Sequence, residues 1–538
     1  MCLRARKNTI AYRLRVGVVI GMLAVPLVLF CTVASHAAQQ SRTFLVNSTA
    51  DAPDADLADH ICATAAKTCT LRAAVQQANA VDGADTITML GGTYTLSITG
   101  ADEQAAKGDL DITGDLTISG VPTSTTTIDA AQIDRIFDVY TATVTLDNLI
   151  MHNGKTSANG GTIYNRGTLT MSDDYIAGSQ TDAHGGGIFN AATGTVTAHN
   201  VTFESLRASN GGAIWNAGSM QVTDSSFSDN AAQSSGGAIT NDQALTITHS
   251  FMKRNHAFSG GAVQQGSGTL VVQTSTFDGN AAVYGGAIAI DGNAAVHVSS
   301  STLSNNAASQ GGGIFTLGVL TLLNSTLSGN SASNTLMDQF GGGIFNGGST
   351  TASSVTMVNN TAPNGNTVRS TGTMTFTNSI VAQNENAAGG ANCSGTVTSA
   401  GYNLDSGDTC AFNATGDRRN ANPMLDALGL NSATIQTHAL LPGSPAIDSG
   451  ALSGCPSTDE RGVARPQGPR CDMGAFEFVP ATTATPTLIT PQPGTPTATS
   501  QSGTPAPSPL PGTIVPTTAT TPLPVLDRTR VLLPLIIR

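Results

Sequence analysis

The run GGTIYN at 160–165 returns as GGGIFN at 185–190, GGAIWN at 211–216 and GGAITN at 236–241. It continues as GGAVQQ at 260–265, GGAIAI at 285–290, GGGIFT at 311–316 and GGGIFN at 341–346. The intervals between first glycines are 25, 26, 25, 24, 25, 26 and 30 residues. Self-similarity at a period of this size marks a repeat architecture. Each period keeps one internal order. A β-rich run such as LTMSD (169–173), MQVTDS (220–225) or LTITHS (245–250) comes first. An apolar residue (Phe203, Phe227, Phe251, Phe277 or Leu303) then stands 11 or 12 positions before the next Ile or Val. Asn follows it in FSDN (227–230) and FDGN (277–280), and the glycines come last. Short extended runs separated by Asn, Gly and Ser are strand signals, three to a period.

One coil of a parallel β-helix has this size. A single coil cannot bury its apolar side, but coils stacked about 4.8 Å apart pair every strand with the next and close a common core. Ile163, Ile188, Ile214, Ile239, Val263, Ile288, Ile314 and Ile344 are expected in one inward column, and Asn165, Asn190, Asn216 and Asn241 in an amide ladder at a turn. Gln265 and Ile290 replace that Asn and are expected to interrupt the ladder. The array is expected over 85–420, with about twelve coils from 85 to 400, roughly 60 Å long.

The rest of the composition agrees with an all-β class. Charged residues are 11% and aromatic residues 4% of 538, with one Trp and 59 Gly. The net charge is −12, and residues 1–37 hold five basic side chains and no acid, leaving −12 − 5 = −17 for the remainder. So acidic a body repels phosphate backbones, which argues against a nucleic-acid partner. Residues 1–37 read as a signal peptide: Arg4, Arg6, Lys7, Arg13 and Arg15, an apolar run over 16–33, then Ser35-His36-Ala37. Of eight Cys, six lie beyond this leader, in three local pairs: Cys62/Cys69, Cys393/Cys410 and Cys455/Cys471. Disulfides in an oxidising compartment fit them better than zinc, whose ligand spacings are missing. A secreted or cell-surface location follows.

Both ends are expected to be capped, since bare coil edges aggregate. In 69–80, CTLRAAVQQANA, residues Leu71, Ala74, Val75 and Ala78 share one helical face, Thr70 can cap it, and Gly83 can stop it. This helix belongs to an N-terminal cap over 38–84. Residues 421–478 read as a loop-rich C-terminal cap in which Asp448, Asp459, Arg461, Arg465 and Asp472 can pair. Residues 479–524 hold 12 Pro, 14 Thr and no charge, a composition for a disordered, extended tail. Residues 525–538 form a basic and apolar terminus, too short to span a bilayer, so a membrane is reached only through the leader or a C-terminal attachment.

These residues also carry resemblances. The pairing of GGA-Ile with Phe-x-x-Asn over about 150–350 resembles the repeats of the polymorphic outer membrane protein family. That resemblance implies a secreted, adhesion-associated surface protein, although no C-terminal β-barrel is expected here. CTLRAAVQQAN resembles the CSLREA motif of secreted bacterial proteins, with Ala73 in place of Glu. LLPGSPAIDSG (440–450), DERG (459–462) and CDMGAFEF (471–478) resemble the choice-of-anchor Q domain, which implies surface attachment. Together they imply a right-handed single-stranded parallel β-helix of the pectin lyase-like kind.

Fold does not decide function here, because enzymes and adhesins share it. Asp173, Asp174 and His184, with Asp182, Arg166 and His199 nearby, are the catalytic candidates for a polysaccharide lyase or glycoside hydrolase. They only faintly resemble hydrolase sites, and the ten residues from Asp174 to His184 are too few to stack on neighbouring coils. Asp51, Asp54, Asp56 and Asp59 are the one acidic run that could hold Ca²⁺, without the spacing of a known calcium loop; otherwise no cofactor is expected. Tyr164, Phe189 and Trp215 each follow an inward Ile by one residue and are expected to face outward as a strip. Such a strip can hold sugar rings or simply stabilise the sheet. The leading expectation is a non-enzymatic, adhesin-like binding protein for a glycan or another surface protein. The alternatives are the polysaccharide-degrading enzyme and a structural surface-layer spacer.

Overall fold

The computed structural model describes residues 41–333, 338–363, 367–382, 391–431 and 433–480. The leader at 1–37, the Pro/Thr tail and the C-terminal terminus lie outside the described residues.

The chain is a parallel β-solenoid. Among the described residues three long sheets run along its axis, with 12, 14 and 13 strands. In a typical coil the glycine-led strand Ile188–Asn190 belongs to the first, the longer strand Thr195–His199 to the second, and Thr202–Glu204 to the third. The glycine-led motifs pair in one register column, Ile163 on Ile188, Ile188 on Ile214, and onward to Ile314 on Ile344. All eight aliphatic residues of this column are fully buried. Phe203 and Phe227 add a stacked pair inside, with ring centroids 4.5 Å apart.

The turns explain the composition. At Gly185 φ is +70°, and a Cβ there would lie 2.1 Å from the carbonyl oxygen of Ile188. At Gly186 a Cβ would meet the Gly212 carbonyl of the next coil at 2.2 Å. The first glycine is therefore needed for its dihedral, the second for the coil spacing.

The amide ladder runs Asn165→Asn190→Asn216→Asn241 at 2.5–2.8 Å and then, against expectation, passes through Gln265. The longer Gln side chain still presents its Oε1 to Asn241 Nδ2, 2.8 Å away. A second ladder joins Asn230, Asn255, Asn280, Asn306, Asn330 and Asn360. A third column, of serines, was not anticipated. The Oγ atoms of Ser225, Ser250, Ser275, Ser301 and Ser325 each accept the backbone N–H one coil back. These columns satisfy buried turn groups that the strands leave over.

The helix α1 (Leu71–Ala80) begins at Thr70, whose hydroxyl accepts from Ala73 N, and it ends where Val81 becomes extended, before Gly83. It is buried on more than its apolar face: Arg72, Gln76 and Gln77 are buried as well. Residues from the acidic run cover that side, with Asp51 on Arg72 and Asp54 on Gln76 and Gln77. A strand upstream of the helix, Thr43–Val46, pairs with Asp85–Met89, so the array starts earlier than the expected boundary.

Disulfides join Cys62–Cys69, Cys393–Cys410 and Cys455–Cys471. Residues beyond 421 do not simply close the end. They fold back along the outside of the third sheet. Thr302 Oγ1 donates to the Gln436 carbonyl at 2.6 Å, Ser328 Oγ lies 2.9 Å from His438 Nε2, and Ala475 N donates to Thr356 Oγ1 at 2.9 Å. Thr326 donates to the buried carboxyl of Glu460, and Thr302 Oγ1 lies 3.2 Å from its other oxygen. Within this strap Asp459 pairs with Arg461 at 2.7 Å, and Asp472 accepts the backbone N–H of Asp448 and Phe478. Arg465 reaches Glu477 at 3.6 Å, and its guanidinium also donates to the carbonyls of Asp472 and Gly474.

Candidate functional site

The outward position of the glycine-led strand forms a register column. From the N-terminal end it reads Asp111, Asp138, Tyr164, Phe189, Trp215, Thr240, Gln264, Ala289, Phe315, Phe345 and Arg369. Alternation along a three-residue strand with buried first and third residues forces the middle side chain out. Tyr164, Phe189 and Trp215 are half-exposed there. The Tyr164 and Phe189 rings stack at 5.0 Å, and the His184 ring packs 4.2 Å from Trp215. His184 Nδ1 is 3.2 Å from Asn210 Nδ2. Burial holds the imidazole below its usual pKa, with Asp242 opposing.

Below the strip lies a cluster that sequence reasoning missed. Asp109, Asp111 and Asp138 have carboxylate oxygens within 4.8 Å of one another, all buried. Arg135 bridges Asp109 at 3.1 Å and Asp138 at 3.0 Å, and Arg166 also pairs with Asp138. Arg166 lies over the rings of Tyr140 (4.0 Å) and Tyr164 (4.7 Å). Burial pushes Asp109 up to about 7 against the pull of Arg135, and Asp111 up to about 6 against the Ala105 N–H. Asp138 is raised by burial in spite of both arginines. The three acids come from coils with no glycine-led motif, so the repeat gave no warning of them. Only the register places them beside Tyr164.

The sequence candidates fall out as follows. Asp173 and Asp174 occupy the turn between the second and third sheets, whereas His184 lies beyond the third strand, against the aromatic strip. No hydrogen bond or ion pair joins them among the described residues. Asp173 is exposed and bonded to Asn200 Nδ2. Asp174 is buried in the serine column, where its Oδ1 accepts from Leu149 N at 2.9 Å and its Oδ2 has no hydrogen-bond partner among the described residues. Burial pushes it up to about 8. His199 lies 3.4 Å from Asp224.

The acidic run is used locally. Asp51 pairs with Arg72 at 2.6 Å and accepts from Ser97 N and Ile98 N. Burial opposes its ionisation, but these partners hold it below the usual carboxylate range. Asp54 accepts from Asp56 N and Ala63 N, Asp56 from Ala58 N and Asp59 from Ile61 N. These carboxylates stabilise turns and do not converge on a common centre. Among the described residues the grouping that could hold a metal is Asp109, Asp111 and Asp138, and there two arginines already supply the counter-charge.

Comparison with known proteins agrees on architecture. A family model described as the right handed beta helix region matches residues 186–362. No curated protein matches the sequence. Among solved structures, pectate lyase Pel9A aligns over 82% of this chain and 97% of its own, at 12% identity and a TM-score of 0.37. The PL6-family alginate lyase AlyGC aligns over 72% of this chain at 10% identity and a TM-score of 0.43, with 58% of its own length covered. Another PL6 alginate lyase, in complex with a trisaccharide, aligns over 75% of this chain and 92% of its own, at 12% identity and a TM-score of 0.40. The family match is to a right-handed β-helix. No helix among the described residues is long and apolar enough to cross a membrane.

Proposed function

We propose that this is an exported, surface-associated β-helix protein that binds a carbohydrate polymer along its glycine-led face without cleaving it. The observation that carries the reading is the alignment of Tyr164, Phe189 and Trp215 at one outward register position on consecutive coils, half-exposed. Flat rings at the strand spacing offer apolar faces to the faces of successive sugars, with Asn210 and His184 beside them as polar partners. Three disulfides support an oxidising, extracytoplasmic setting.

A second reading, polysaccharide cleavage, has one observation in its favour. Asp109 and Asp111 titrate near neutrality, about 7 and about 6, close to the same strip. Against it, the two arginines that could take or stabilise charge there are already engaged, Arg135 by Asp109 and Asp138 and Arg166 by Asp138.

The test is to measure retention of glycans and release of reducing or unsaturated ends together, for wild type and Trp215→Ala. Binding should weaken about five- to thirty-fold, the equivalent of one or two stacking contacts, with melting unchanged. Release of new ends would favour the enzyme. Binding unaffected by Trp215→Ala would remove the strip from the account.

A further inference from the structure

The outward column carries a second aromatic platform four coils beyond the first. Phe315 and Phe345 stack at 5.1 Å with planes 14° apart, and Tyr284 packs 5.1 Å from Phe315. Phe315 and Phe345 stand in continuous register with Phe189 and Trp215, through Thr240, Gln264 and Ala289. They are half-exposed, and Leu317 beside them is 48% exposed. Two ringed sites therefore flank a stretch where the same position holds Thr240, Gln264 and Ala289, all buried. From Trp215 to Phe315 is four strand spacings, about 19 Å.

The polar side chains of that stretch are bonded within the protein. Thr240 Oγ1 donates to the Ser235 carbonyl at 2.8 Å, and Ser259 Oγ donates to Gln264 Oε1 at 2.6 Å. The rim of the stretch is acidic. Asp242 and Asp291 flank it, and each has its carboxyl raised by burial. At the N-terminal end Asp109, Asp111, Asp134 and Asp138 outnumber Arg135 and Arg166. A polyanion laid along this face would meet carboxyl groups at both places, with Arg369 beyond Phe345 the cation in the same column.

We propose that the glycine-led face is one extended site for an uncharged, linear polysaccharide, gripped at both ends by aromatic platforms and spanning the coils between them. The proposal rests on the glycan-binding reading and adds ligand length and charge to it. The strand spacing is close to the repeat of an extended pyranose chain, so the bridge between platforms is about four rings. A chain long enough to reach both gains the second contact intramolecularly, whereas a short one occupies a single platform.

The protein has one tryptophan, so its fluorescence reports on the first platform alone. The full chain would be titrated with cello-oligosaccharides and β-1,3-gluco-oligosaccharides of about three and about eight rings, and with oligogalacturonates of the same lengths. The longer form of one neutral series should bind at least about 100-fold more tightly than its short form. Phe315→Ala/Phe345→Ala should remove most of that gain and leave short-chain binding near Trp215 within two-fold. Phe345→Tyr, which keeps the ring, should retain the gain and so separates ring loss from misfolding. Equal affinity for short and long chains, or no effect of the double variant beside a large effect of Trp215→Ala, would overturn the two-platform site and leave the first-platform reading standing. Tighter binding of the oligogalacturonate would overturn the charge assignment. Failure of every chain to bind would remove both this proposal and the reading beneath it.

Discussion

On the third sheet the outward residues at one register position are Tyr175, Thr202, Ser226, Phe251, Thr276, Thr302, Thr326 and Thr356. The first three are half-buried and Phe251 is 53% exposed, but the four threonines are buried under the strap. On the glycine-led sheet the corresponding outward column carries Tyr164, Phe189, Trp215, Phe315 and Phe345, and these rings stay open to solvent on one side. The same coils thus finish two faces in opposite ways. Where another segment must lie flat, the column holds a short β-branched side chain whose hydroxyl can bond to it. At five positions of the glycine-led column that stay open, it holds rings. Covering is a stability device, and on the proposed reading the exposed aromatic area serves recognition.

The sharpest way to break this contrast is to unseat the strap. Glu460 is wholly enclosed, and burial raises its carboxyl well above its usual value, against the Thr326 and Thr302 hydroxyls. Glu460→Ala leaves the Thr326 hydroxyl buried without its carboxyl acceptor, at about 1–3 kcal/mol, while Thr302 keeps the Gln436 carbonyl. Limited proteolysis should then cut within 421–478 while the array keeps its circular dichroism, since solenoid coils depend on nearest neighbours. Glu460→Gln mimics the protonated acid and should be far milder. Cleavage rates no different from wild type in Glu460→Ala would show that the strap is held elsewhere. No such change is expected from Trp215→Ala on the open face.

A smaller effect should come from the serine column. In the native state Asp174 holds its proton up to about 8, whereas an unfolded Asp releases it near 3.9. The folded chain therefore binds the proton more tightly. Stability is full below the unfolded value and is lost as pH rises from there toward 8. Asp174→Asn keeps an oxygen for the Leu149 N–H and removes the ionisable group. It should raise melting at pH 7–8 by about 1–3 kcal/mol and flatten the decline between pH 4 and 8. A parallel pH profile for variant and wild type would mean that Asp174 is not the titrating group.

How far the sequence reached follows from what repeats. The Ile column, the first ladder and the helix at 71–80 were legible because each recurs at the period or carries its own cap. The strap was legible as a unit but not in its placement. Nothing in DERG or CDMGAFEF says which face they lie on, although Thr276, Thr302, Thr326 and Thr356 mark that face once the register is known. The acidic cluster was invisible, because Asp109, Asp111 and Asp138 lie in early coils without the motif, and only stacking brings them to Tyr164. The second aromatic platform was missed for a related reason: Thr240, Gln264 and Ala289 interrupt the strip, and the rings resume beyond them.

The smallest effect tests the weakest of the catalytic candidates. Asp173 is exposed at a turn with φ of +56°, a conformation that Asn tolerates as well as Asp does. Its carboxylate bonds to Asn200 Nδ2 at the surface. Asp173→Asn keeps the backbone preference and the size of the side chain and removes only the charge. Melting should shift by no more than about 0.5 kcal/mol, and glycan binding on the glycine-led face should be unchanged, because the third strand separates this turn from His184 and the strip. Asp173→Ala should cost slightly more, since Ala is less at ease in the left-handed region. If the wild type cleaves a polymer and Asp173→Asn abolishes that cleavage, the contrast between an open binding face and a covered structural face would have to give way to a catalytic turn.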